Sequence, residues 1–234
     1  MSFIHSPSIV HDSSLVLCLD AANKRSYPGS GSTWTDLTNN GNNGALQNSA
    51  GFSSVYSGGI TLNGSNQFIN VPYSSALSPS TAFTLAAFTN YSSYGYNYGP
   101  IIYKQNNYNS AYEQYSMYYY TGGNIGFTIT GTDRNQVSLA SSGGYYNKNI
   151  YAVATCDRIT QQMNLYINGI LVSNTTFSTT FDTSSNPVNI GGTYAAGFNG
   201  MGQGTVYTAS IYNRALNANE ILQNYNALKG RFLL

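Results

Sequence analysis

The sequence predicts an all-β fold, a two-sheet antiparallel jelly-roll sandwich with one short C-terminal helix. Three observations predict it. Short apolar or alternating segments recur along the 234 residues, separated by Gly, Asn, Ser and Pro, which is the pattern of a sandwich or jelly roll rather than of alternating strands and helices. Asn168-Gly169 stands between Met163-Asn164-Leu165-Tyr166-Ile167 and Ile170-Leu171-Val172, and a two-residue turn that needs positive φ at both positions joins such segments as a hairpin. Convincing helical periodicity occurs in a single stretch, after Arg214.

Taken in order, strands are expected at 14–20, 43–47, 59–63, 67–71, 82–89, 100–104, 115–120, 124–130, 136–140, 150–156, 162–167, 170–175, 187–191 and 205–212. Between the first two, Trp34 in Ser32-Thr33-Trp34-Thr35-Asp36 reads as a core plug. Cys18 and Cys156 lie in apolar strand patterns and are expected as two buried, unbridged thiols. Asn217 is a good N-cap, Glu220 completes a capping box, and Leu216 with Ile221 forms a hydrophobic staple. Ile221, Leu222, Tyr225 and Leu228 share one helical face, and Gly230 offers a left-handed stop. Such a helix should lie across the sandwich and cover apolar surface.

A chain of this length buries its core as one domain. Residues 1–12, which hold His5, His11 and Pro7, read as an N-terminal arm; 13–230 form the domain; 231–234 form a C-terminal tail with three apolar side chains. Only 7% of residues are charged, and the net charge is +1. No charge run is present that would neutralise phosphates or dock on anionic lipid, so nucleic acid and membrane surfaces are excluded as principal partners. Met1 to Asp12 lacks the basic start and apolar core of a secretory signal.

Leu15-Val16-Leu17-Cys18-Leu19-Asp20-Ala21-Ala22-Asn23, Trp34-Thr35-Asp36-Leu37-Thr38-Asn39-Asn40-Gly41-Asn42-Asn43-Gly44, Tyr166-Ile167-Asn168-Gly169, Asn189-Ile190-Gly191-Gly192 and Ile211-Tyr212-Asn213-Arg214-Ala215-Leu216 together resemble the laminin-G-like branch of the concanavalin A-like jelly rolls. The opening segments are similar to the version of this domain in structural proteins of tailed bacteriophages. That resemblance implies a non-enzymatic virion surface protein, either decorating the capsid or forming a fibre or knob. It would assemble in the bacterial cytoplasm and attach to other virion proteins through the arm or the tail, as a homo-oligomer or bound to a lattice. The alternative is an extracellular, secreted or cell-surface glycan-binding module.

Relatives that cleave β-glucans carry Glu-x-Asp-x-x-Glu along one strand. Here the glutamates are Glu113 and Glu220, with no carboxylate within five positions of either, and both histidines fall in the arm; the chain is expected not to be an enzyme. No cofactor is expected. Calcium, which laminin-G-like relatives often hold, has Asp133 and Asp182 as its candidate ligands. Asp20, Asp36 and Asp157 sit where carboxylates bond their own backbone.

Eleven of the 22 tyrosines fall between Tyr91 and Tyr120, among Asn, Ser and Gly. Three readings stand: strand residues with rings packed over the sheet, a protein contact, or a glycan contact. Tyr91, Tyr94, Tyr96, Tyr98, Tyr108 and Tyr112 are the candidate contact residues.

Overall fold

Alternation sets most of the strands. The computed structural model describes residues 8–105, 113–133, 135–181, 183–195 and 198–234. Among them the chain forms β1 (Leu15–Asp20), β2 (Thr33–Trp34), β3 (Gly44–Gln47), β4 (Gly51–Ser53), β5 (Gly59–Asn63), β6 (Phe68–Val71), β7 (Ala82–Tyr96), β8 (Gly99–Gln105), β9 (Glu113–Tyr120) and β10 (Asn124–Thr130). There follow β11 (Gln136–Ala140), β12 (Ile150–Asp157), β13 (Gln162–Ile167), β14 (Ile170–Thr176), β15 (Val188–Ile190), β16 (Gly192–Ala195), β17 (Phe198–Tyr212) and the helix α1 (Ala218–Leu228). All fourteen expected strands are present. β2, β4 and β16 are additional, and at two to four residues they are too short to show a period.

The strands make two antiparallel sheets. One has nine strands in the order β14-β13-β12-β7-β17-β5-β4, with β1 and β16 also paired to β17; the other has eight, ordered β11-β10-β9-β8-β15-β6-β3-β2. The two inner faces interlock as one core, to which Leu17, Leu85, Ala152, Leu165 and Ile211 contribute from the first sheet and Ile69, Ile102, Met117, Phe127 and Ile190 from the second. Trp34 is completely buried in that core, and Cys18 and Cys156 are buried free thiols. In the β13–β14 turn, Asn168 and Gly169 have φ of 52° and 80°. Asp36, nearly buried, accepts hydrogen bonds from the Cys18, Thr38 and Asn42 amides at 2.9, 3.0 and 3.0 Å and from the Thr38 hydroxyl at 2.6 Å, tying the β2–β3 loop to β1.

The outer face of the nine-stranded sheet is apolar as well. Leu15, Cys18, Ala86, Phe88, Tyr151, Val153 and Tyr207 form a second cluster with Leu216, Ile221 and Phe232. The helix begins as expected: the Asn217 side chain accepts from the Asn219 and Glu220 amides, and Glu220 accepts from the Asn217 amide at 2.9 Å. Two details differ. Leu222 is 44% exposed, because Ile221 and Asn224 form the buried line of the helix. Gly230 does not stop the helix; a 3-10 turn runs from Lys229 to Phe232, and the left-handed residue is Leu233.

The reason is Phe232. Its ring stacks on Phe88 with centroids 4.0 Å apart, and Arg231 pairs with Asp20 at 2.8 Å, so these tail residues belong to the fold. Leu233 and Leu234 remain exposed. Residues 8–12, expected as part of an arm, are likewise tied down: the Val10 amide donates to Asn224 Oδ1 at 2.6 Å, and the Tyr212 hydroxyl donates to the Val10 carbonyl at 3.0 Å. His5 and Pro7 lie outside the described residues.

The eight-stranded sheet carries a polar row on its outer face. Ser138, Thr128, Ser116, Tyr103, Asn189, Asn70, Ala45 and Thr33 stand side by side across all eight strands. Thr128 shares hydrogen bonds with the hydroxyls of Ser138 at 2.9 Å and Tyr118 at 3.1 Å, and Asn70 Nδ2 donates to Asn189 Oδ1 at 2.9 Å. Ser116 Oγ is buried and has no partner among the described residues.

Two predictions follow from these contacts. Ser116→Ala should leave the Tm unchanged or raise it, since it removes an unpaired buried hydroxyl, whereas Thr128→Val should cost about 1 kcal/mol; a clear loss on Ser116→Ala in thermal denaturation would point to an ordered water on that hydroxyl. Arg214 pairs with Asp12 at 2.8 Å and Glu220 at 2.7 Å. The Ser14 hydroxyl and then Arg214 bring Asp12 from 3.8 down to about 2, and Arg214 lowers Glu220 from 4.5. Both carboxyls are depressed on folding, so their stabilisation is present above about pH 4.5 and is lost as pH falls toward 2. Denaturation curves of wild type and Arg214→Met should therefore differ at neutral pH and converge in that window; parallel curves would show that the ion pairs contribute nothing.

Candidate functional site

The tyrosine-rich segment is sheet, and its alternation divides the rings between two faces. Along β9, Tyr115, Met117 and Tyr119 point into the core and are completely buried, while Tyr118 and Tyr120 stand on the outer face, half-buried. Period two in a strand sends successive side chains to opposite faces. The same rule places the outer residues of β10 at Asn124, Gly126, Thr128 and Thr130, opposite its inner Ile125, Phe127 and Ile129.

Tyr118 and Tyr120, with Tyr98 from the β7–β8 turn and Ser138, Leu139 and Ala140 of β11, line a groove of about 260 Å³. The Tyr98 ring meets Tyr118 edge to face at 5.0 Å and 70°, and Tyr118 meets Tyr120 at 6.2 Å and 64°. Gly126 makes room for this arrangement, since a Cβ there would lie 2.6 Å from the Tyr118 ring. The Tyr118 hydroxyl pairs with Thr128, and the Tyr120 hydroxyl donates to the Ser141 carbonyl at 3.2 Å. Both rings are thus held from their hydroxyl ends, and the groove combines aromatic surface with serine hydroxyl and backbone polar groups. None of its lining residues is charged.

Beneath the groove lies a second layer of tyrosines. Tyr119 stacks on Tyr91 at 4.7 Å and on Tyr146 at 6.0 Å, and Tyr94 lies 6.2 Å from Tyr146. The Tyr91 hydroxyl donates to the Pro100 carbonyl at 2.9 Å, and Tyr119 shares a hydrogen bond with Thr89 at 3.1 Å. Burial pushes the Tyr91 and Tyr119 phenols upward and Tyr146 up to about 12, so all three remain protonated at neutral pH.

The expected contact residues are therefore redistributed. Tyr91 is corrected from contact residue to core residue: it is 0% exposed, because an inward strand position and the Pro100 bond enclose it. Tyr94 packs partly against the core, Tyr96 is 65% exposed at a left-handed position, and Tyr98 is in the groove. Tyr108 and Tyr112 lie outside the described residues. Tyr118 and Tyr120 were not singled out from sequence, yet the alternation of Tyr115, Met117 and Tyr119 against them carries the signal.

Asp133 is engaged locally. Its Oδ1 accepts from the Thr179 hydroxyl at 2.6 Å and the Asn135 amide at 3.2 Å, and Oδ2 accepts from Asn135 Nδ2 at 2.8 Å. These bonds lower its pKa, the Thr179 hydroxyl most of all. Asp182 lies outside the described residues, and among the described residues no three His, Cys, Asp or Glu side chains converge as a metal site. Asp20 and Asp157 accept from the Ala22 and Ile159 amides at 2.9 and 2.8 Å, the local duty their positions suggested. A larger cleft of about 540 Å³ lies between residues 11–15 and 37–40, lined by His11, Asp12 and Asn40. Its lining includes no Tyr, Phe or Trp ring, and its Asp12 is bound to Arg214.

No curated protein matches its sequence. Among solved structures it is similar to the binding domain of Paraclostridial Mosquitocidal Protein 1, with a TM-score of 0.68 and 17% identity, covering 92% of this chain and 52% of that one. It is also similar to the binding domain of Botulinum Neurotoxin DC in complex with SialylT, with a TM-score of 0.66, 16% identity and coverage of 92% and 52%. A third similar structure is Trypanosoma rangeli sialidase, with a TM-score of 0.69, 19% identity and coverage of 98% and 36%. The chain thus spans about half the length of the toxin domains and about a third of the sialidase, and at these identities the likeness is one of fold. Residues 63–222 match the Laminin_G_3 model, which describes the concanavalin A-like lectin/glucanases superfamily. With more than half of its length matched and both sheets in place, the chain belongs to the concanavalin A-like lectin/glucanases superfamily.

Proposed function

We propose that this protein is a glycan-binding module that holds a saccharide in the groove of Tyr98, Tyr118 and Tyr120 without turning it over. The observation that carries the reading is the groove itself: aromatic rings fixed at 5.0 and 6.2 Å from one another, beside exposed Ser138 and apolar Leu139 and Ala140. A sugar presents an apolar face and a rim of hydroxyls, and this surface matches both. Support comes from two similar structures that hold saccharides, the Botulinum Neurotoxin DC binding domain in complex with SialylT and the serotype D ligand binding domain in complex with N-acetylneuraminic acid. The groove residues are all neutral, so nothing there compensates the carboxylate of a sialic acid. Neutral hexoses or N-acetylhexosamines are the substrate class this chemistry fits. No carboxylate lines the groove either, so the carboxylate pair that most glycoside hydrolases use is not positioned there.

For the setting, the surface of a tailed-phage particle is kept as a second reading, on the strength of Leu15-Val16-Leu17-Cys18-Leu19-Asp20 and the Trp34 to Gly44 segment. It places the same groove toward a host-surface glycan. Extracellular secretion is the competing location, and peptide mass spectrometry on purified particles and on culture medium separates the two.

The binding reading is tested with the whole chain on immobilised neutral and sialylated glycans. Tyr98→Ala, Tyr118→Ala and Tyr120→Ala should each weaken binding about twofold to about tenfold, as loss of about 0.5–1.5 kcal/mol per aromatic contact implies. Tyr96→Ala should leave it unchanged, and so should a chelator, since the groove needs no calcium. Binding that survives all three groove substitutions in folded protein, or no glycan retained at all, would sink the proposal.

A further inference from the structure

We infer that Lys148 extends the groove with a subsite for the carboxylate of an acidic sugar, so that the preferred ligand is an oligosaccharide with a uronic or sialic acid next to its neutral residue. The subsite rests on the glycan-binding reading of the groove and adds a charge that the groove lining lacks.

The loop that carries Lys148 is built onto the Tyr120 end of the groove. Asn124 pairs with Tyr120 between β9 and β10, so the two stand side by side on the outer face. Asn124 Oδ1 accepts from the Gly144 amide at 3.2 Å, and the Tyr145 amide donates to the Gly123 carbonyl at 2.7 Å. Tyr120 is joined to the same loop by its hydroxyl bond to the Ser141 carbonyl. Asn147, at φ 57°, turns the chain left-handed, and the Lys148 side chain runs back to donate from Nζ to the Gly144 carbonyl at 2.9 Å. Nζ also lies 5.9 Å from the centre of the Tyr145 ring. The ammonium is thus tethered to the residue whose amide is bonded to Asn124, the neighbour of Tyr120. Lys148 is exposed, and a lysine has three N–H donors, so two are left for a ligand.

Its charge is not neutralised from within the molecule. Among the described residues the ion pairs join Arg214 to Asp12 and Glu220 and Arg231 to Asp20. Residues 120–125 and 141–148 contain no acidic side chain, and neither does the groove lining. On a surface with 7% charged residues, a lone cation beside a neutral groove sets the local potential. Uronic and sialic acids share the matching feature, a carboxylate on a carbon next to the ring oxygen, projecting from the edge of the sugar. Placed beside the residue that occupies the groove, such a carboxylate accepts charge-assisted hydrogen bonds from Nζ while the neutral ring stays against Tyr118 and Tyr120.

The test measures retention of the whole chain on immobilised lactose, sialyllactose and glucuronyl-galactose. At low salt at least one acidic glycan should be held more tightly than lactose, by up to about fivefold as an exposed ion pair implies, and the margin should shrink as salt is raised. Which acidic glycan leads identifies the source of the carboxylate. Lys148→Gln should abolish the margin, Lys148→Glu should reverse it, and Lys148→Arg should keep it. Arg158→Gln, the same change of charge at an exposed position between β12 and β13, should leave the margin intact. Lactose retained with no margin for either acidic glycan, or a margin indifferent to Lys148→Gln, overturns the subsite and leaves the groove reading standing. Equal loss of lactose and acidic glycans on Lys148→Gln would mark the lysine as a support of the loop and overturns it as well. Retention of no glycan at all sinks the groove reading and the subsite together.

Discussion

The nine-stranded sheet is apolar on both faces, and the rest of the molecule is arranged to keep both out of water. Its central strands show why. Along β7, Leu85 and Ala87 face the eight-stranded sheet, while Ala86 and Phe88 face the opposite way. The first face is covered by a second sheet, as in any sandwich. The second needs a separate cover, and α1, Phe232, Ile9 and Val10 supply it. Burying one phenylalanine contributes about 1.5–3 kcal/mol, so the Phe88–Phe232 stack makes the end of the chain structural.

Low charge dictates how the polar groups are managed. With 7% charged residues, few buried donors and acceptors can be met by ions. Short amides and hydroxyls do it instead. Asn224, 1% exposed, accepts from the Val10 amide and donates to the Tyr212 hydroxyl at 3.1 Å, linking residues 8–12, the helix and β17 through one side chain. Asn42 Nδ2 donates to the Val16 carbonyl at 2.7 Å, and Asn43 Oδ1 accepts from the Asp36 amide at 2.9 Å. The Asn-rich run after Trp34 is therefore a clamp on β1, even though its composition alone suggests an open loop. Buried amides and carboxylates hold their place only when such partners are present.

What was legible from sequence follows the range of the interaction. The Asn168-Gly169 turn and the Asn217–Glu220 capping box are local, and both stand as expected. Strands with clear alternation were found within a residue or two of their bounds. The extensions of β7 to Tyr96 and of β17 back to Phe198 were missed because Ser, Tyr and Gly there pair with each other, Tyr94 against Gly202 and Ser93 against Gln203. No local property marks such a ladder; it exists because the two strands are already adjacent. The Gly230 stop failed for a similar reason, since the burial of Phe232 outweighs a glycine's preference for a left-handed end.

The tyrosines show the same division at the site. Composition identified the right segment and could not sort it, because inward and outward rings differ only by register. Once β9 is placed, Tyr119 becomes a buried support under Tyr118 and Tyr120, and Tyr91 and Tyr146 brace it from either side. A groove built this way is neutral, and under the glycan-binding proposal its selectivity would come from shape and hydrogen-bond placement rather than from charge. Shape-led sites of this size bind a single sugar weakly, and useful adhesion comes from presenting several together.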